Sequence, residues 1–187
     1  RCGYQKTQCD DGHTEGEQLN KQLVLDVLRP VLENADIKKV GHNIKYDYQI
    51  FRCAGVELKG IGFDTMVAAF LISPITRSQT LSSLALTELG IEMIEITELI
   101  GKKGKGQKTF DQTPIDEATP YAAEDADITW RLYEILEPRL KGIGELTKVG
   151  ETMEWPLIPV LGDIELTGVE LDVDFFTSFS KELEKKQ

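Results

Sequence analysis

The chain has 187 residues and a formal net charge of −11, room for one ordinary domain or for one domain and the beginning of another. Its 41% hydrophobic and 28% charged residues fit a water-soluble globular protein, and no apolar run approaches the ~20 residues that cross a bilayer, so no membrane partner is expected. The acidic balance argues against a groove held mainly by phosphate contacts, although metal-holding carboxylates carry that sign and bound cations reverse the local field.

The sequence opens on Arg1 with no secretory pattern behind it, which reads as a partial sequence. Cys2, Cys9 and Cys53 are odd in number and irregularly spaced, as in a reduced, cytoplasmic setting. Cys9 and His13 have a zinc-like spacing, but no second pair completes it.

Residues 1–18 are polar without a clear period and read as a frayed strand end or loop. Val24, Val27, Leu28, Val31 and Leu32 then recur at helical spacing, with a kink expected at Pro30. Ile37 to Val40 reads as a short strand ending at Gly41, and a helix is predicted from Ile44 to about Cys53, closed by Gly55. Phe63 to Ile72 is a strand turning into a helix, and Leu81, Leu84, Ala85 and Leu89 mark another helix stopped by Gly90. Gly101 to Lys108 is a glycine-lysine loop. Pro114 and Pro120 frame a turn, from which Tyr121 starts a helix to about Leu140. Past Gly142 and Gly144, Leu157, Val160, Leu161 and Ile164 form a second helical stripe ending at Gly168. Strands alternating with longer helices predict an α/β layered fold.

Two segments carry chemistry. Gly41-His-Asn43-Ile-Lys-Tyr46-Asp47 and Tyr121-Ala-Ala-Glu124-Asp125 each set an aspartate four residues after a polar partner, which puts Asn43 with Asp47 and Tyr121 with Asp125 on one helix face. Two carboxylates with a phenol beside them suit a hard divalent metal engaged in phosphate chemistry. Each residue alone has an ordinary explanation. Asn43 can cap a helix, the aspartates can be solvated surface groups, and Tyr121 can pack over a helix start. The loop from Gly101 to Thr109 lacks the spacing of a phosphate-cradling loop, because Gln107 intrudes and Pro114 follows. It reads as a basic backbone contact or as solvated surface.

These segments resemble the second and third motifs of the proofreading 3′–5′ exonuclease domain of family A DNA polymerases, the bacterial DNA polymerase I kind, in its tyrosine-containing form. The resemblance also covers Gly60-Ile-Gly-Phe-Asp64-Thr-Met66, the lysine-rich loop with Phe110, and Glu154 through Asp172, so it runs from about Leu19 to the C-terminal end. It implies a ribonuclease-H-like fold whose N-terminal strands are missing, followed by the helical start of the polymerase region. The implied domains are a partial exonuclease domain over 1–144 and the polymerase start over 145–187. It also implies two divalent ions, Mg²⁺ or Mn²⁺, that activate water against the last phosphodiester. Asp47 and Asp125 are the implied metal ligands, and Tyr121 orients the water. Asn43 and Tyr46 lie near the frayed 3′ end. Read from the residues themselves and not from the resemblance, Lys102, Lys103, Lys105 and Lys108 of the loop and Arg77 in another polar turn are candidate contacts to a nucleic-acid backbone, with solvated surface as the alternative. The implied partners are a single-stranded DNA 3′ end and the remainder of a polymerase chain, in a cytoplasmic monomer.

The family's first motif, an Asp-x-Glu pair on an early strand, has no match ahead of Gly41. The single such pair, Asp163-Ile-Glu165, lies after the other motifs in a helical stripe and reads as a decoy. The fragment alone is therefore expected to be inactive or nearly so. Two alternatives stand beside this reading: a non-catalytic single-strand-binding or structural module of a polymerase, and a stand-alone exonuclease of the ribonuclease D kind.

Overall fold

The computed structural model describes residues 19–76, 78–104 and 106–185. Two short parallel strands, β1 (Lys39–Gly41) and β2 (Ile61–Asp64), lie among nine α-helices within the described residues. The strands pair Lys39 with Ile61, Val40 with Phe63 and Gly41 with Asp64, so Gly62 is an extra residue at a bulge. A Cβ on Gly62 would lie 2.8 Å from the Lys38 side chain, which explains why the bulge carries glycine.

Helix α1 (Lys21–Leu32) starts where the Asn20 side chain accepts the Leu23 N–H at 3.0 Å, and it contains Pro30 near its end. Leu23, Val27, Leu28 and Val31 on it are exposed. Helix α2 (Ile44–Cys53) follows β1 as predicted. Helix α3 (Thr65–Ile72) follows β2 directly. Helix α4 (Leu81–Leu84) continues as a wider π-helical turn, Ala85–Leu89, ended by Gly90 at φ 71°. Helix α5 (Ile96–Ile100) is short and precedes the lysine loop.

Helix α6 (Ile115–Lys141) begins ahead of the predicted start at Tyr121, and Pro120 lies inside it. Proline forfeits one backbone bond but does not forbid a helix whose inward face is well buried. Pro114 occupies the N-cap position, and Asp116 and Glu117 in the first turn complement the helix dipole. Helix α7 (Gly144–Val149) runs through a π-helical turn, Gly150–Glu154, into α8 (Trp155–Thr167). Helix α9 (Val173–Glu184) is capped by Asp172, which accepts the Phe175 N–H at 2.9 Å.

The core lies between the strands, α2, α3, α6 and α8. Ile128, Leu132, Leu136 and Leu140 form the buried stripe of α6, and Phe63 of β2 meets Tyr133 and Trp155 at ring-centre distances of 5.1 and 5.3 Å. On α8 the inward residues are Trp155, Ile158 and Gly162. The stripe read from sequence, Leu157, Val160, Leu161 and Ile164, is the exposed face of that helix. No residue of α9 is buried. Among the described residues no helix is long and apolar enough to cross a membrane. Cys2, Cys9 and His13 lie outside the described residues, and Cys53 is a free, exposed thiol.

Candidate active site

The turn from β1 into α2 is built around Asp64. Its carboxylate is 1% exposed and accepts four backbone N–H groups: Asn43 at 3.2 Å and Ile44 at 2.8 Å from α2, Met66 at 2.9 Å and Val67 at 3.2 Å from α3. Buried charge is tolerated where it is fully hydrogen-bonded, and here one carboxylate satisfies the orphan donors of two helix starts. Asn43 therefore stands at the N-cap position without capping by its own side chain, in the left-handed region at φ 54°. Its side chain is left free for the cleft. The signal for Asp64 was present in sequence, an aspartate between a strand and Thr-Met, but its reach to a second helix was not.

Helix α2 then presents Asn43, Tyr46 and Asp47 to a cleft of about 820 Å³. Helix α6 forms the opposite wall. The stripe that buries Ile128, Leu132, Leu136 and Leu140 carries Asp125 and Tyr121 at its N-terminal end, at the same three- and four-residue spacing. Polar side chains on an otherwise inward-facing stripe need a reason, and the open cleft supplies it. Asp47, Tyr121 and Asp125 thus line one cavity from two separate helices, with Asn43 and Tyr46 beside them. The third wall is Met93 to Ile96, held by Glu124, whose carboxylate accepts the Ile94 N–H at 2.8 Å. No sequence signal identified Glu124 as an anchor.

The electrostatics of the two aspartates agree. Burial in the concave wall raises the Asp47 carboxyl above its ordinary range, its own backbone N–H works against this, and the Asp64 charge adds to it. Water still reaches the Asp47 side chain, so this is the crowding of a cleft rather than a sealed core. Burial also raises Asp125, the Tyr121 hydroxyl opposes that, and the Glu124 charge reinforces it. Burial and the Asp125 charge raise the Tyr121 phenol, which keeps it protonated at neutral pH. Among the described residues neither aspartate is in an ion pair. His42, absent from the sequence expectations, also lines the cleft. Its Nδ1 is 2.9 Å from Thr65 Oγ1, and burial lowers its pKa, leaving the ring neutral at pH 7.

The basic residues divide. Lys102, Lys103 and Lys108 are exposed on the loop after α5 and do not line the cleft. The loop's end is tied to it through Phe110, whose ring centre lies 5.7 Å from that of Tyr121. Arg77 and Lys105 lie outside the described residues. Asp163 and Glu165 do not reach the cleft. They face α2 from its other side, where Asp163 accepts the Tyr48 hydroxyl at 2.9 Å and Glu165 accepts Gln49 Nε2 at 2.6 Å.

Among the described residues no group of three His, Cys, Asp or Glu side chains is gathered to hold an ion. Asp47, Glu95 and Asp125 line the cleft but are not gathered into one ion-holding group, so the fit to two metals is partial on these residues alone.

Comparison with known proteins bears on this geometry. The family described as 3′–5′ exonuclease matches residues 5–141. DNA polymerase I of Pseudomonas aeruginosa is 40% identical over 172 residues, covering 91% of this chain and 19% of that protein. The chain spans about a fifth of the length of the relatives it matches. Among solved structures, the POL domain of Pol1 from M. smegmatis, in complex with DNA primer-template and dNTP, aligns with a TM-score of 0.70 at 23% identity, over 90% of this chain and 25% of that one. Brucella melitensis NrnC bound to pGG aligns at 0.60 and 21% identity, over 86% of this chain and 71% of that one. At these identities the two structures establish the shared fold, a ribonuclease-H-like α/β arrangement seen here as a small parallel sheet among helices. With the match over residues 5–141 and this cleft at its centre, the chain belongs to the 3′–5′ exonuclease family, in the form found in bacterial DNA polymerase I.

Proposed function

We propose that this chain is part of the proofreading domain that hydrolyses the 3′-terminal phosphodiester of DNA in a DNA polymerase I, and that it needs the remainder of that protein to do so. The observation that carries the reading is the convergence of Asp47, Tyr121 and Asp125, from two helices far apart in sequence, on one cleft. Metal dependence goes with it. Asp47 and Asp125 are the carboxylates that would hold the ions, two Mg²⁺ or Mn²⁺, and such ions would supply Lewis-acid activation of water and neutralise charge at phosphorus.

The chain's own groups do the rest. Tyr121 keeps its proton and orients a water by its hydroxyl beside Asp125. Asn43 and Tyr46, the latter 62% exposed at the rim, bind the unpaired 3′ end, Tyr46 by stacking. Neutral His42 lines the floor without adding charge. Lys102, Lys103 and Lys108 hold the strand's phosphates outside the cleft, and Arg77 and Lys105, which lie outside the described residues, are read from the sequence as further phosphate contacts.

Residues 1–144 are read as exonuclease domain and 145–187 as the start of the polymerase region. The family match ends at 141, and the uncovered apolar faces of α8 and α9 suit contact with the remainder of a longer chain. Packing makes α8 an element shared between the two, because Trp155 and Ile158 belong to the exonuclease core. The protein is read as a cytoplasmic monomer.

The test uses the complete gene product and a 5′-end-labelled single strand. Magnesium or manganese is expected to give a ladder shortening from the 3′ end, and chelation to stop it. A strand left intact with either metal contradicts the proposal.

A further inference from the structure

The decoy motif of α8 has an assignment of its own. Asp163 and Glu165 each take two donors from one side of α2. Asp163 Oδ1 accepts the Tyr48 hydroxyl at 2.9 Å and has Arg52 Nε at 3.7 Å, and Glu165 takes Gln49 Nε2 at 2.6 Å and the Lys45 ammonium. Residues 45, 48, 49 and 52 form one stripe of α2. Between these pairs Gly162 lies on the Tyr48 ring, where a Cβ would be 2.6 Å from a ring carbon. The helices therefore touch at a glycine and are locked by carboxylates beside it.

We propose that Asp163 and Glu165 are positioning residues for the exonuclease site, fixing the rotation of α2 that aims Asp47 and Asn43 into the cleft. Asp64 holds the start of α2, but a clamp at one end resists rotation about the helix axis weakly. The cleft side is open, so the seam with α8 supplies that resistance. With side chains a helix has a radius of about 5–6 Å, and a rotation of about 10° moves a carboxylate by about 1 Å. A displacement approaching that size weakens a site that depends on geometry, and lost support behind a metal ligand costs about tenfold or more in metal affinity. The ion pairs themselves are half-exposed and contribute little to stability. Orientation is what they supply.

This inference rests on the exonuclease reading, and the experiment separates the two. In the complete gene product, Mn²⁺ binding is followed by water-proton relaxation, and 3′-end release is titrated with Mn²⁺ and with oligonucleotide. Asp163→Ala/Glu165→Ala is expected to raise the Mn²⁺ half-saturation about tenfold in both assays, the usual scale for losing support behind a metal ligand. The oligonucleotide KM and the unfolding midpoint stay near wild type. Lys45→Glu/Glu165→Lys, which restores the pair in reverse, returns Mn²⁺ binding toward wild type and covers the case of a poorly folded double alanine variant. Wild-type Mn²⁺ half-saturation in the double alanine variant, or no recovery on charge reversal, overturns the positioning role. An unmutated protein with neither Mn²⁺ binding nor 3′-end release overturns the exonuclease reading, and this proposal falls with it.

Discussion

Two pairs of carboxylates flank helix α2, and their surroundings are opposite. Glu165 takes Lys45 and Gln49, which hold its carboxyl below the ordinary range, and Asp163 takes Tyr48 and Arg52. Asp47 and Asp125, across the helix, have no ion-pair partner among the described residues, and burial holds both carboxyls above that range. A carboxylate whose counter-charge lies within the fold is already neutralised. One kept in a cleft without a counter-charge favours a cation from outside. The motif spelled Asp-x-Glu is thus paired within the fold, and the two aspartates separated by 78 positions (125 − 47) are the pair that lines the cleft and that the proposed function assigns to the chemistry.

Substitutions sharpen this contrast in order of expected effect. Asp125→Ala is expected to lower the single-turnover rate of 3′-end release by at least about 100-fold, the scale of losing one preorganised electrostatic group. An unchanged rate would remove Asp125 from the site. Tyr121→Phe keeps the ring against Phe110 and loses the hydroxyl beside Asp125, and a fall of about tenfold at saturating metal is expected for a group acting through its neighbour.

Gly162→Ala probes the opposite side of α2. Alanine favours a helix interior by about 1 kcal/mol, but the added methyl meets a Tyr48 ring that is buried and hydrogen-bonded. Overpacking wins, and denaturant titration is expected to show a loss of about 1–3 kcal/mol. A gain in stability would mean that the helices are not in contact there.

The smallest effect concerns pH. A carboxyl whose folded pKa is raised binds more protons folded than unfolded. Its contribution is fully present below the unfolded value near 3.8 and is lost as pH rises through the folded value. Without metal, Asp47→Asn is expected to raise the unfolding midpoint at pH 7 and to leave it nearly unchanged in strong acid. Equal midpoints for the two proteins at all pH values would contradict the partial desolvation that raises the Asp47 carboxyl.

Much of this was legible in sequence. The spacing of Asn43 with Asp47 and of Tyr121 with Asp125 put together on each helix the side chains that line the cleft, and the bounds of α2 were read correctly. Four-residue spacing is a local property, which is why it survives into the fold. What escaped was non-local or a matter of direction. Asp64 bridges two helix starts, Glu124 holds a loop 30 residues earlier, and neither reach has a sequence period. Pro120 suggested a boundary because the proline rule is local, whereas the burial that sustains α6 is tertiary. On α8, Leu157, Val160, Leu161 and Ile164 obey helical spacing on a helix that is apolar around much of its circumference, so periodicity alone could not say which side faces the core.

The most direct measurement compares the two carboxylate pairs in the complete gene product, by manganese-dependent release of mononucleotides from a single-stranded 3′ end. Asp47→Asn/Asp125→Asn is expected to abolish the metal-dependent release while the protein stays folded. Asp163→Asn/Glu165→Gln is expected to keep it within about tenfold at saturating manganese. Release that survives the first substitution and disappears with the second would contradict the account.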